Sequence, residues 1–279
     1  MQEIKLCRLE KWIEGNDACV IVGAPSSRLL ELENAGYCVL AELARLQGLP
    51  EEEVAEALCR EEAVQQFEHV CINASELPQG YLRRIRCQSL GQPVVISETS
   101  RLLIRESVAE DAEAFVQLYW DEACRRYLEI PPVELETAGG EEQLREAYRR
   151  YIVDYQKGQY AFYEYGMWTL VEKGSGEVVG RAGLEQQELV STKEDFGRKE
   201  QETAYNVGET VLGLGYAILP KYRGRGYAVE ACLAILEYCR ECEYADRVYA
   251  KVDARNTASR KVLVKLQKRT CMPLNLILK

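Results

Sequence analysis

A chain of 279 residues has room for one large domain or two ordinary ones, and 47% apolar with 29% charged residues is the balance of a globular protein. A net charge of −10 argues against nucleic acid as a partner. No apolar run approaches the ~18 residues that span a bilayer, so no membrane partner is expected.

The opening Met1-Gln2-Glu3-Ile4-Lys5 lacks the layout of a signal peptide, and a cytoplasmic location is the expectation. Eleven cysteines at irregular spacing beside a single histidine read as free thiols in a reducing compartment. Cys239 and Cys242 form a lone Cys-x-x-Cys. No second pair or nearby histidine completes a site, so Cys239 reads as part of a buried helix stripe, and no metal is expected. His69, before Val70-Cys71-Ile72, reads as structural.

In chain order, residues 1–97 alternate strand and helix. Residues 18–23 are a buried-strand pattern, and residues 26–34 a helix that Gly36 stops. Strands are expected at 38–40 and 69–72, helices at 51–66 and 80–89, and a fourth strand at 94–96. This order suggests parallel β-α-β winding. It resembles the C-terminal part of a haloacid dehalogenase-like hydrolase, with Glu76-Leu77 after a strand as in that family. The resemblance implies an acidic magnesium loop where this chain has Gly23-Ala24-Pro25, and no nucleophile aspartate has a counterpart. Residues 1–97 therefore read as a non-catalytic accessory domain.

Pro93 to Ser100 marks the boundary to a second domain, residues 98–279. A strand at 101–105 leads to Ser107 and Glu110, which have capping-box spacing before a helix with Ala112, Phe115, Leu118 and Tyr119 on one face. After Gly139-Gly140 comes a stripe of Leu144, Ala147, Tyr148, Tyr151, Ile152 and Tyr155 at helical spacing, which reads as packed core. Residues 162–171 and 177–184 read as strands around a Lys173-Gly174-Ser175-Gly176 turn. Residues 186–208 are polar and aperiodic, a flap or loop.

A strand at 210–219 then runs into Pro220-Lys221-Tyr222-Arg223-Gly224-Arg225-Gly226-Tyr227-Ala228. A glycine-rich basic turn between a strand and a helix N-terminus is an anion cradle: its N–H groups are unpaired and the helix dipole favours negative charge. The helix that follows carries Ala228, Ala231, Cys232, Ile235, Leu236 and Cys239 on one face. Residues 247–252 are the next strand, and Asn256-Thr257-Ala258-Ser259 opens another helix.

Arg223, Gly226 and Ala228 match the Arg/Gln-x-x-Gly-x-Gly/Ala loop of the GCN5-related N-acetyltransferases. The chain resembles that family, and most its ribosomal-protein N-terminal acetyltransferase branch. The fold this implies is α/β, a mixed and strongly twisted sheet flanked by helices, preceded here by a small parallel α/β domain. The activity implied is transfer of an acetyl group from acetyl-CoA to a primary amine, on a protein N-terminus or a small molecule. Backbone near Ile218 and Leu219 would pair with the pantetheine arm, between splayed strands at 210–219 and 247–252. The loop Arg223, Gly224, Arg225, Gly226, Tyr227 and Ala228 would hold the pyrophosphate, and Asn256 would contact the arm. Where many relatives place a proton-donating tyrosine, this chain has Leu263. Ser259 matches the serine proposed for that role in the Asn-x-x-Ser branch, and a backbone-capping serine is the alternative. Glu209 is the candidate base, beside a water relay. A coenzyme A-binding module without turnover is the rival reading.

The end departs from the family. Lys265-Leu266 runs into Gln267-Lys268-Arg269-Thr270-Cys271-Met272-Pro273 instead of a glycine stop and a strand hairpin. The expectation is a loosely held tail, because Pro273 limits pairing, and an acceptor site left open or completed by a second molecule, as in a homodimer.

Overall fold

The computed structural model describes residues 5–11, 19–77, 79–127, 140–160, 163–188 and 210–278. The chain divides into two compact units, Met1–Val94 and Val95–Lys279.

The first unit is a parallel sheet of β1 (Lys5–Arg8), β2 (Cys19–Gly23), β3 (Val39–Glu42) and β4 (Val70–Cys71), in that spatial order. Four helices accompany it: α1 (Ser27–Asn34), α2 (Glu51–Arg60), α3 (Glu62–Gln66) and α4 (Gln79–Ser89). Alternation along the strands separates two cores. Cys19, Ile21, Val39 and Ala41 pack with Leu29, Leu32 and Phe67, while Val20, Val22 and Leu40 pack with Leu82 and Ile85. Ser26 caps α1 by accepting from the Leu29 amide at 3.3 Å, and Gly36 follows it at φ 87°, the left-handed stop the sequence predicts.

The first unit departs from expectation in four places, the first being strand β1, which the sequence does not predict. The helix over 51–66 breaks at Glu61, whose backbone is extended and whose carboxylate meets Arg45. The strand expected at 94–96 is not a fourth strand of this sheet; Val95–Glu98 joins the second unit instead. Cys7 and Cys19 are a disulfide rather than free thiols. The register sets Lys5 against Cys19 and Cys7 against Ile21, which leaves the two cysteines 6.1 Å apart at Cα.

The second unit holds a seven-stranded sheet whose spatial order is its chain order. The strands are β5 (Val95–Glu98), β6 (Leu102–Arg105), β7 (Met167–Glu172), β8 (Val178–Glu188), β9 (Thr210–Ile218), β10 (Val248–Val252) and β11 (Leu274–Leu278). Strands β5 to β9 are antiparallel, and β9, β10 and β11 are parallel. Among the described residues its α-helices are α5 (Ala112–Trp120), α6 (Glu122–Tyr127), α7 (Glu141–Tyr155), α8 (Tyr227–Glu241) and α9 (Thr257–Gln267). Successive residues of β7 face opposite layers. Thr169 bonds to Ser107 and Asp111 ahead of α5, and Trp168 meets Tyr238 of α8 edge-on at 5.7 Å. In α7, Leu144, Tyr148 and Ile152 are buried, and Tyr148 meets Phe115 of α5 at 5.9 Å, so these three are core, while Ala147, Tyr151 and Tyr155 are half-buried.

The cap before α5 uses a different residue from the one predicted. Asp111, not Glu110, accepts from the Val108 amide at 2.9 Å, and it also binds Arg105 and Thr169. A buried carboxylate that collects this many donors is the stable choice. The tail is likewise not loose. Residues Val248 to Val252 pair in register with Leu274 to Leu278. Pro273 does not prevent this, because it lacks only a donor: its carbonyl accepts from the Val248 amide at 2.9 Å. Segment 186–208 is continuous with β8 up to Glu188, and its remainder lies outside the described residues.

Candidate functional site

Strand β9 pairs with β8 along its whole length, from Thr210–Glu188 to Ile218–Gly180. On its other side, among the described residues, it pairs with β10 at a single position, Gly213 with Tyr249. Beyond that pair the strands part. The gap is a cleft of about 690 Å³ lined by residues 214–218, 250–253, the loop to Val229 and the start of α9.

Hydrogen-bond alternation decides which backbone faces the gap. The Leu219 amide donates to Val179 at 2.9 Å, on the β8 side. In an antiparallel pair, alternate residues turn outward, so Tyr216 and Ile218 present N–H and C=O to the cleft. Ile218 is where the sequence predicts it, whereas the Leu219 amide is committed to β8. The Ile218 carbonyl itself accepts from Arg223 Nε at 2.9 Å.

The loop has the form of an anion cradle. Gly224 and Gly226 hold φ 77° and 87°, a region that favours glycine. Gly226 is the N-cap of α8, and no side chain caps it. The Glu230 amide is bonded back to the Gly226 carbonyl at 3.1 Å, so the amides of Tyr227, Ala228 and Val229 lie in the first turn without an intrahelical acceptor. The described cleft lining holds five cations, Arg126, Arg223, Lys251, Arg255 and Lys265, against one carboxylate, Asp253. Three of these cations are paired within the fold, Arg126 with Glu122, Arg223 with Asp121 and Arg255 with Asp253, so it is the helix N-terminus rather than a surplus of side-chain charge that suits the cleft to an anion.

The loop cations divide their work differently from the sequence expectation. Arg223 is not free for phosphate. Its Nη2 lies 2.6 Å from Asp121 Oδ1, and Nη1 lies 3.2 Å from Oδ2. This bond is the main reason the Asp121 carboxyl sits below its ordinary range. Arg225 makes no ion pair among the described residues, and its guanidinium stacks 5.2 Å over Tyr222. Arg101, from the turn before β6, donates to the Arg225 carbonyl at 3.0 Å, binds Glu230 and lies 4.5 Å over the Tyr227 ring. Tyr227 in turn donates to Glu172. Asp121 and Arg101 escaped the sequence reading because their partners lie about a hundred residues away. Nothing in the local pattern announces them.

At the other wall, Asn256 caps α9, accepting from the Ser259 amide at 3.0 Å. Its side-chain oxygen therefore has a structural role. The Ser259 hydroxyl lies 2.7 Å from the Tyr216 phenol, which reaches across from β9. Burial raises the Tyr216 phenol above its ordinary pKa. Leu263 is buried beside them. Glu209 lies outside the described residues.

The family described as acetyltransferase (GNAT) domain matches residues 101–267. The chain belongs to this family. The match begins after β5 and ends with α9, so the cleft, loop and cap all fall inside this acetyltransferase domain. A Bacillus subtilis (strain 168) protein known as uncharacterized protein YkkB is 27% identical over 104 residues, 37% of this chain and 51% of that one. The chain thus spans about half the length of that curated relative. A GNAT-family acetyltransferase structure from Bacillus anthracis is 22% identical, covering 61% of this chain and 80% of that one at a TM-score of 0.41. The ribosomal-protein-S5-alanine acetyltransferase of Vibrio fischeri is 15% identical, covering 61% and 80% at 0.41.

The acetyltransferase domain has a second cavity, of about 860 Å³, between α5 and the Pro220 turn. It is lined by several acids, but Asp111, Glu113, Asp121 and Glu177 are tied to Arg105, Arg145, Arg223 and Lys221. Their charge is balanced within the fold. Among the described residues, no group of acids, histidines or cysteines is placed to hold a metal ion, and no helix is long and apolar enough to cross a membrane.

Proposed function

We propose that this chain transfers the acetyl group of acetyl-CoA to a primary amine, on a peptide N-terminus or a small molecule. The single β9–β10 pair among the described residues carries the reading, because it leaves a cleft with outward-facing strand backbone at Tyr216 on one wall and a helix N-terminus at its end. When bound, acetyl-CoA supplies the activated acyl group. The amides of Tyr227, Ala228 and Val229 would bind its pyrophosphate, with Arg225 nearby. The outward N–H and C=O of Tyr216 would pair with its amide arm, and the Ile218 N–H would face the thioester oxygen as charge develops there. Ser259 would face the sulfur. Glu209 or a water would take the amine's proton.

The first unit is an accessory domain in this reading. Its turn after β2, Gly23-Ala24-Pro25, offers no carboxylate, which suits a remnant of a hydrolase-like fold without that chemistry. We place the protein in the cytoplasm, where the Cys7–Cys19 pair would be exposed to reduction, and have it act without metal, nucleic acid or membrane. Acetyl-CoA titration with a thiol-release assay over a panel of amines tests the function. Binding with release supports it. Binding without release favours a coenzyme A-binding module, and no binding overturns both.

A further inference from the structure

The cleft holds a hydroxyl pair that the sequence does not announce. Tyr216 and Ser259 come from opposite walls, β9 and α9, and both line the gap. Their oxygens are 2.7 Å apart, and the phenol can also donate to the Ser259 carbonyl at 3.3 Å, so Oγ is the nearer of its two acceptors. A serine in a helix's first turn commonly satisfies nearby backbone groups. Here the Asn256 carboxamide already takes the Ser259 amide, and the Ser259 hydroxyl meets a side chain instead.

We propose that Tyr216 is a positioning residue. Its phenol donates to Ser259 Oγ, which leaves the Ser259 proton as the hydrogen bond offered to the departing sulfur of coenzyme A. The proposal rests on the acetyltransferase reading. A hydroxyl pair has two protons and one contact between them, so whichever oxygen accepts keeps its own proton for another partner. Burial holds the phenol above its ordinary pKa, so it remains a donor and does not itself lose a proton. During transfer the amine nitrogen bonds to the acyl carbon. The carbon–sulfur bond breaks, and its electron pair leaves with sulfur. The amine's proton goes to water, and Ser259 stabilises the thiolate by hydrogen bonding alone. This gives the domain a substitute for the absent tyrosine at Leu263: a tyrosine from the facing strand, acting through a serine.

Two measurements on the full chain test it. The first is a double-mutant cycle of Tyr216→Phe and Ser259→Ala. Each should lower kcat about tenfold with KM for acetyl-CoA within about twofold, and the double variant should be no slower than Ser259→Ala. The second is the pKa of the bound coenzyme A thiol, read from thiolate ultraviolet absorbance. It should rise by about one unit in both single variants, roughly a tenfold loss of thiolate stabilisation. Replacing Tyr216 with 3-fluorotyrosine keeps the packing and strengthens the donor, so the thiol pKa should fall. Multiplying effects in the double variant, or an unmoved thiol pKa in Tyr216→Phe and the fluorinated protein, would overturn the proposal. If wild-type protein binds coenzyme A and releases no thiol with any amine, the acetyltransferase reading fails. The thiol titration then still decides whether Tyr216 acts through Ser259.

Discussion

Asp121 grips the Arg223 guanidinium with both carboxylate oxygens, at 2.6 and 3.2 Å. The same carboxylate accepts from the Cys124 amide at 2.8 Å and so starts α6, while Arg223 Nε holds the Ile218 carbonyl. One ion pair thus joins the end of β9, the start of α6 and the glycine-rich turn before α8.

Asp121→Asn keeps the helix cap and removes the charge. The pair is partly exposed, so its loss should cost about 1 kcal/mol and weaken coenzyme A binding roughly fivefold. Calorimetric titration measures this. The carboxyl is held low mainly by Arg223, so the pair contributes above the unfolded carboxylate pKa and is lost as pH falls through the lower folded value. The variant should lose that acid-side dependence, and unchanged affinity would show that the loop is ordered without the pair.

Gly226 should resist substitution for a backbone reason. At φ 87° a side chain is strained, although an added Cβ would meet only Arg101 Nη2, at 3.6 Å. Gly226→Ala should cost about 1–2 kcal/mol and weaken coenzyme A binding about tenfold. Gly226→Glu also sets a negative charge at the anion site and should abolish binding with the fold intact by circular dichroism. Wild-type affinity in both would move the phosphate site elsewhere.

His69 is the chain's one histidine, so its NMR signal is unambiguous. Burial lowers its pKa, and its Nε2 has no hydrogen-bond partner among the described residues. The folded state therefore prefers the neutral ring. That preference supports stability above the unfolded pKa of about 6.5 and is lost as pH falls from there through the folded value. His69→Gln should flatten the pH dependence of unfolding below about 6.5. A ring titrating at or above that value would refute the buried-neutral state.

Cys124 lines the cleft but should alkylate slowly. Burial, then the Asp121 hydrogen bond, pushes its pKa up to about 11. Exposed Cys59, Cys242 and Cys271 should react first near neutral pH, with Cys124 accelerating only in strong alkali. Mass-spectrometric mapping of iodoacetamide adducts over time gives the order. Early modification of Cys124 would contradict its buried setting, in which burial and Asp121 outweigh the nearby Arg223 guanidinium.

The paired tail makes a prediction opposite to a loose one. Alternate amides across Leu274–Leu278 should exchange slowly, like those of β10. Deletion from Pro273 onward should lower the unfolding temperature, speed exchange in Val248–Val252 and promote association through the bared edge. Fast exchange throughout the tail of the intact chain would restore the loose picture.

What the sequence made legible was what local chemistry decides. Ser26 and Gly36 bracket α1, Asn256 opens α9, and Gly224 and Gly226 at positive φ shape the turn before α8. What it hid depends on long-range geometry. Arg223 reads as a phosphate ligand until the fold delivers Asp121. Leu219 reads as cleft backbone until the register with Val179 turns its amide away. Tyr216 is an ordinary strand residue until α9 brings Ser259 to it. Pro273 looked like a barrier because the missing donor is visible in the sequence, and the accepting carbonyl is not.

The lone Gly213–Tyr249 bridge has a mechanical meaning. Among the described residues, β10 and β11 on its far side are stitched to the rest of the sheet by one backbone pair, with the Tyr216–Ser259 contact and helix packing beside it. Pulled across the strands, the sheet should tear at that seam before any other. A cofactor lying in the gap would bond to both lips and act as the missing stitches, so the force needed to open the molecule should rise with ligand concentration.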